Sequence, residues 1–178
     1  MPTQMNIPGY VAGTWAIDSV HSVVSFQVAL LGVFRTRGTF DDFEGAIVTT
    51  DDPLESSARA VIRTASVNTR SKRRDADLLK KPFLDAAEFP TITFVSTGVR
   101  ADGDQFLVDG DLTIRAATKP VTLSLTPTGF VADGQPSATF TARTEISCTE
   151  FGVTRGPFAP VIGDKVAVSI DIRASRQD

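Results

Sequence analysis

Residues 22–30 read Ser-Val-Val-Ser-Phe-Gln-Val-Ala-Leu, and their alternation decides how the rest of the chain is read. Val24, Phe26, Val28 and Leu30 fall on one face of an extended strand, with Ser25, Gln27 and Ala29 on the other, because successive side chains of a strand point to opposite sides. One face of this segment is therefore core. The same period of two returns in Ala58, Ala60 and Ile62, in Ile92 and Phe94, and in Phe106, Val108, Gly110, Leu112 and Ile114. It recurs in Val121, Leu123 and Leu125, in Ala138, Phe140 and Ala142 with Ile146, and in Val166, Val168, Ile170 and Ile172. Turn signals stand between these runs: Asp102-Gly103, Asp133-Gly134 and Gly163-Asp164.

One stretch breaks the pattern. Residues 72–84 (KRRDADLLKKPFL) are rich in charge and leucine, lack β-branched side chains and meet a stop at Pro82, which predicts a short helix or a pair of turns. About eight one-sided strands with one helix to cover them must pack as two sheets or close on themselves, and closure also removes exposed edges. The fold class expected is all-β, an antiparallel barrel. A barrel of about eight strands has an interior that side chains just fill or that holds one ligand. With 12 Phe in the chain, whether that interior is filled or hollow is the functional question.

Composition removes several alternatives. The 178 residues are 42% apolar and 22% charged, which describes one globular domain rather than a disordered chain. Eighteen Lys and Arg against 21 Asp and Glu leave a formal charge of -3, so no long-range attraction to nucleic acid is expected. The single cysteine, Cys148, has no partner for an internal disulfide, and the single histidine, His21, cannot supply a multi-histidine metal site. No metal and no cofactor are expected. Residues 1–11 (MPTQMNIPGYV) carry neither the early positive charge nor the apolar run of a secretion signal, which predicts a cytoplasmic protein. No apolar run approaches the roughly 20 residues of a membrane-crossing helix.

Several motifs then occur in one order. Trp15-Ala16-Ile17-Asp18 precedes His21-Ser22-Val23-Val24-Ser25-Phe26; Leu31-Gly32-Val33, Gly38-Thr39-Phe40 and Phe43-Glu44-Gly45 follow. Ser66-Val67-Asn68-Thr69, Arg74-Asp75-Ala76-Asp77-Leu78, Phe83-Leu84-Asp85 and Phe89-Pro90-Thr91-Ile92-Thr93-Phe94 form a middle section. Gly110-Asp111-Leu112-Thr113-Ile114 with Thr118-Lys119-Pro120-Val121, then Phe151-Gly152-Val153 and Ile162-Gly163-Asp164-Lys165-Val166, close the series. From about Gly13 to Ala174 the chain resembles the YceI-like family of lipocalin-like β-barrels associated with polyisoprenoid binding. It departs from the family pattern at Leu30 and Asp77, where relatives often carry histidine, and at Ala116, where glycine is frequent. The first two departures weaken any histidine cluster at the barrel mouth. The resemblance implies residues 1–12 as an N-terminal extension and 13–176 as a barrel with a long hydrophobic tunnel for an isoprenoid, an isoprenoid quinone or a similar lipid. It also implies a homodimer.

The alternating faces nominate the tunnel lining. Phe26, Val28 and Leu30 come from the first clean strand and Phe34 and Phe40 from the segment after it; Phe94, Leu112 and Ile114 come from the middle strands, and Phe140, Val168 and Ile170 from the last two. Periodicity alone favours a packed core for these residues, since alternation reports a buried face and cannot see a void. The family resemblance turns the reading toward a ligand tunnel. For a polar head group the candidates are Arg70, Arg73 and Arg74, with Lys72, Lys80 and Lys81 nearby, against the alternative of a solvated charged face beside Asp75, Asp77 and Asp85. His21 is either a contact to the ligand head or a turn lock on Asp18, and the lone Trp15 reads as a plug at the barrel bottom.

Catalysis finds little support. Asp109 and Asp111 share the face opposite Val108, Gly110 and Leu112, and Cys148, without a basic activator nearby, reads as a small buried hydrophobe. No phosphate loop, nucleophile elbow or zinc spacing occurs. Three functions stay open on the sequence: a lipid-binding barrel, a small-molecule enzyme using His21 with Asp18, and a structural barrel packed solid.

Overall fold

A computed structural model describes residues 10–131 and 134–177. Residues 1–9 of the expected N-terminal extension, and Asp133 of the expected Asp133-Gly134 turn, lie outside them. In chain order the strands are β1 (Gly13–Ile17), β2 (Val23–Leu30), β3 (Phe34–Phe40), β4 (Phe43–Thr49), β5 (Ser57–Arg63) and β6 (Val67–Asn68). After a helix, α1 (Lys72–Leu78), come β7 (Thr91–Asp102), β8 (Gln105–Ile114), β9 (Ala117–Val131), β10 (Ser137–Ser147) and β11 (Ile162–Gln177).

Eight strands close a ring in the order β1-β4-β5-β7-β8-β9-β10-β11 and back to β1, all antiparallel. The expected closed barrel is the fold. β11 makes this possible by holding three partners: β10 along one edge, and on the other first β2, through pairs such as Val168 with Phe26, and then β1, from Ala174 opposite Ile17 to Gln177 opposite Thr14. β1 and β2 thus follow the same edge, separated by a corner. Asp18 makes that corner, its Oδ1 accepting from the amides of Val20 and His21 at 3.0 and 3.3 Å and its Oδ2 lying 2.7 Å from His21 Nδ1. β3, and behind it the two-residue β6, extend the sheet beyond β2.

Of two expectations about local structure, the short helix holds and one turn is corrected. The helix covers only Lys72–Leu78: the Ser71 hydroxyl caps its first turn by accepting from Arg74 N at 3.3 Å, and the chain then leaves helical geometry before Pro82, where Leu84 N returns to Leu78 O at 3.0 Å. Gly163-Asp164 is not a turn between elements but part of β11, within the irregular pairing between Ile162 and Val166. The Asp164 carboxylate fixes this irregularity by accepting from Ser147 Oγ and from Thr149 N at 2.8 Å, and these bonds, the Ser147 hydroxyl first, hold its pKa below the ordinary carboxylate value. The Asp102-Gly103 signal does mark the β7–β8 hairpin, with Gly103 at φ +61°.

The packed core is divided. One cluster gathers Trp15, Ile47, Ala138, Phe140 and Ala174, with Phe130 and Leu125 against it. Trp15 is 1% exposed, and its indole N–H donates to Thr49 Oγ1 at 2.9 Å, the acceptor that a buried tryptophan needs. The second cluster, Phe83, Ile92, Ile114, Phe151 and Val153, takes in Leu78 and Leu84 from the α1 segment. Along β8, Phe106 at the Trp15 end and Ile114 at the α1 end are eight residues apart, roughly 27 Å at strand rise. The Trp15 cluster plugs one end of the barrel, and the second cluster stands in the wall of the space that remains.

Candidate functional site

Beyond the Trp15 cluster lies a cavity of about 550 Å³, with the second cluster in its wall. The inward rows of the wall strands line it: Val24, Phe26, Val28 and Leu30 of β2, Ala58, Ala60 and Ile62 of β5, and Val166, Val168, Ile170 and Ile172 of β11. β7 to β10 add Ile92, Phe94, Leu112, Ile114, Leu123 and Ile146 among others. The β11 residues face inward yet are only half-buried, because empty space rather than a neighbouring side chain stands before them. A cavity of this volume with an apolar wall falls in the range of small-molecule sites.

Two aromatic rings keep the lumen open by lying against glycines. Gly38 stands opposite Phe26 in the β2–β3 register, and a Cβ built on it would come closer than 3.0 Å to Phe26 Cζ and Cε1. Gly110 bears the same relation to the ring of Phe94 from β7. Rings that would otherwise project across the barrel are accommodated along its wall.

Of the predicted lining, Phe26, Val28, Leu30, Phe40, Phe94, Leu112, Ile114, Val168 and Ile170 stand on the cavity wall. Phe34 and Phe140 do not. Phe34 has the inward phase, paired with Leu30, but it is the first residue of β3 beside the turn at Leu31 and Val33, and it is 64% exposed. Phe140 belongs to the Trp15 plug, its ring edge-on to Phe130 at 5.5 Å, and borders a separate void of about 70 Å³ with Tyr10 and Phe106.

The polar candidates divide as well. Arg73 and Arg74 touch the cavity; Arg70 and His21 are not among its lining residues. The His21 side chain is 60% exposed and bound to Asp18 in the β1–β2 corner, and that hydrogen bond is the main reason the Asp18 pKa lies below the ordinary value. Arg74 is committed to its own loop, donating from Nε to Thr69 Oγ1 and from Nη2 to Thr69 O, both at 3.0 Å. The stretch between β10 and β11 adds residues that periodicity had not nominated, Phe151, Val153, Arg155, Phe158 and Val161. It contains two short 3₁₀ turns and no alternation, so no periodic signal was available there.

The carboxylates do not converge. Asp109 is held on the outer face by Arg100, which donates from Nε and Nη2 at 2.7 and 2.8 Å, and by Thr122 Oγ1 at 2.7 Å; these bonds lower its pKa to about 2. Cys148 borders the cavity, where burial pushes its thiol pKa up. Among the described residues no group of three or more His, Cys, Asp or Glu is placed to hold a metal ion, and no helix is long and apolar enough to cross a membrane.

A family model described as the YceI-like domain matches residues 15–174, the span from the Trp15 plug to Ala174 in β11. The chain belongs to the YceI-like family. Among its YceI-like relatives, a "UPF0312 protein" of Yersinia pestis is 38% identical over 149 residues, covering 81% of this chain and 78% of the relative. "Protein YceI" of Escherichia coli O157:H7 is 36% identical over 148 residues, covering 80% and 78%. The crystal structure of Burkholderia cenocepacia BcnA superposes with a TM-score of 0.80 at 25% identity, covering 88% of this chain and 98% of that one. A polyisoprenoid binding domain from Saccharophagus degradans shares the fold at a TM-score of 0.70 and 17% identity, covering 92% and 98%. The cavity described above is thus set in a YceI-like barrel.

Proposed function

We propose that this protein binds a long apolar amphiphile, a polyisoprenoid, an isoprenoid quinone or a similar lipid, in its internal cavity, and stores, shields or carries it without altering it. The observation that carries this reading is the cavity of about 550 Å³ whose wall is built from the inward rows of the barrel strands. Such a wall rewards length more than detail: each methylene moved from water into it contributes about 0.8 kcal/mol, so tight binding needs little polar recognition. The Saccharophagus degradans domain, described as polyisoprenoid binding, offers a precedent on the same fold.

The enzymatic alternative requires His21 and Asp18 to meet a substrate, yet the pair sits in an exposed corner outside the cavity lining. The packed-barrel alternative requires a filled interior, which the cavity opposes. The test is native mass spectrometry of the protein purified from its own host, compared with the denatured chain. A mass difference of lipid size supports the reading and gives the compound class; an unliganded barrel that also takes up neither added polyprenyl phosphate nor quinone refutes it. The same spectrum reads whether the chain forms the expected dimer.

A further inference from the structure

The charged groups at the cavity are gathered at one end. Arg73, Arg74 and Asp77 come from α1, and Arg155 from the connection between β10 and β11. Arg155 N donates to Pro82 O at 2.9 Å, which brings this connection against the segment following α1. The remaining charged lining residue, Arg59, is out of phase with the inward Ala58, Ala60 and Ile62 of its strand and is exposed.

Arg155 differs from the others in its surroundings. Its side chain is 11% exposed, and its backbone holds a left-handed φ of +65°, unfavourable for a long side chain. Nη1 donates to Ile162 O at 2.7 Å, while Nε is buried and has no hydrogen-bond partner among the described residues. Nη2 forms a long ion pair with Asp164 Oδ1 at 3.9 Å, beyond hydrogen-bond reach, and that carboxylate already accepts from Ser147 Oγ and Thr149 N. The unspent edge of the guanidinium is therefore the Nε–Nη2 edge. It is the same edge through which Arg100 grips the Asp109 carboxylate on the outside of the barrel. A guanidinium does not shed its charge at any accessible pH, and a buried N–H without an acceptor is costly, so this edge, paired with Asp164 only at long range, has room for a further oxygen acceptor.

We propose that Arg155 is the head-group subsite of the cavity, its Nε–Nη2 edge taking an anionic oxygen group, phosphate or carboxylate, at the end of a lipid whose tail runs toward Trp15. Arg73, exposed at the same end, adds a second positive charge, and Asp77 is the lining carboxylate there, bound to Lys80 Nζ at 3.0 Å. This assignment rests on the lipid-binding reading above and narrows it to anionic amphiphiles.

The test measures binding of geranylgeranyl phosphate and of geranylgeraniol, two probes with one tail and different heads, together with inorganic phosphate as competitor. The wild-type chain is expected to prefer the phosphate by about 10- to 100-fold, the range of a charge-assisted hydrogen bond. Arg155→Met should bring the two affinities within about twofold of each other, and Arg155→Lys, which keeps the charge without the fork, should fall between. Asp164→Asn keeps an acceptor for Thr149 N and removes the competing charge, so the phosphate preference should rise; this variant decides the matter if Arg155→Met does not fold. Equal affinities in the wild type, or a preference untouched by either substitution, overturn the assignment while leaving lipid binding intact. Displacement of the lipid phosphate by millimolar inorganic phosphate also overturns it, by showing a free-anion site. Failure of both lipids to bind refutes the lipid-binding reading itself.

Discussion

The ring of Phe26 lies across the backbone of Gly38 on the neighbouring strand, in the place where any larger residue would put its Cβ. Since Gly38 has no left-handed φ, what the position demands is space, not backbone freedom. Gly38→Ala is expected to tip the ring into the lumen, costing about 1–3 kcal/mol in stability and weakening uptake of a lipid probe. Phe26→Leu in the same chain should restore both, and urea unfolding with probe titration would measure them; a stable, fully binding Gly38→Ala protein would show that the ring has room elsewhere.

Charge placed on the lumen wall should abolish binding. Leu112→Arg or Phe94→Lys puts an unpaired cation among apolar neighbours, and the probe affinity should fall by about 100-fold or more. Phe34→Lys serves as the comparison, since Phe34 is exposed outside the cavity lining, and it should leave that affinity within about twofold of wild type. A titration showing equal losses at Leu112 and Phe34 would move the site out of the barrel.

The closed end has its own weak point. Thr49→Val leaves the indole N–H of the buried Trp15 without its acceptor, and equilibrium unfolding should register a loss of about 1–3 kcal/mol. Trp15 is the only tryptophan in the sequence, so its fluorescence follows this transition without interference.

Acid should act through Asp109. Its folded pKa of about 2 lies below the ordinary 3.8, so its contribution to stability is complete above about pH 4 and is lost as the pH falls toward 2. Melting temperatures taken across that window should decline less steeply in Asp109→Asn than in the wild type; parallel declines would assign the acid sensitivity to other carboxylates.

Cys148 supplies a reporter of occupancy. As the sole cysteine, bordering the cavity with a thiol pKa raised by burial, it should react slowly with a small maleimide at neutral pH and faster in alkaline solution. A bound long-chain lipid should slow the reaction further, and labelling that ignores added lipid would place the ligand away from this wall.

Much of this architecture is legible in the alternation of Val24, Phe26, Val28 and Leu30 and its repeats, because a period of two fixes which face of a strand turns inward. It does not fix how far along the barrel each residue lies. Phe34 and Phe140 share the phase of the lining residues but stand beyond the cavity, one at a strand start beside an exposed turn and the other within the Trp15 plug. Nor does it register empty space, since Ile170 before a void and Ile170 before another side chain would read alike. Arg155 escapes such reading for a different reason: its place depends on 3₁₀ turns and on the Pro82 carbonyl, contacts that leave no periodic trace. The charged run at residues 70–74 was visible, but which arginines reach the cavity depends on a helix that ends at Leu78.

The threefold partnership of β11 also bears on how the protein is made. Among the described strands it is the last to leave the ribosome, and β10, β2 and β1 all wait for it. Until it arrives the sheet is in two pieces, β1-β4-β5-β7-β8-β9-β10 and β2-β3-β6, with edges of β10, β1 and β2 unpaired, and pairings between residues as distant as Trp15 and Arg176 are slow to form. The enclosure therefore comes into existence in one late step, and the cavity lacks part of its wall until translation has delivered the strand that closes it.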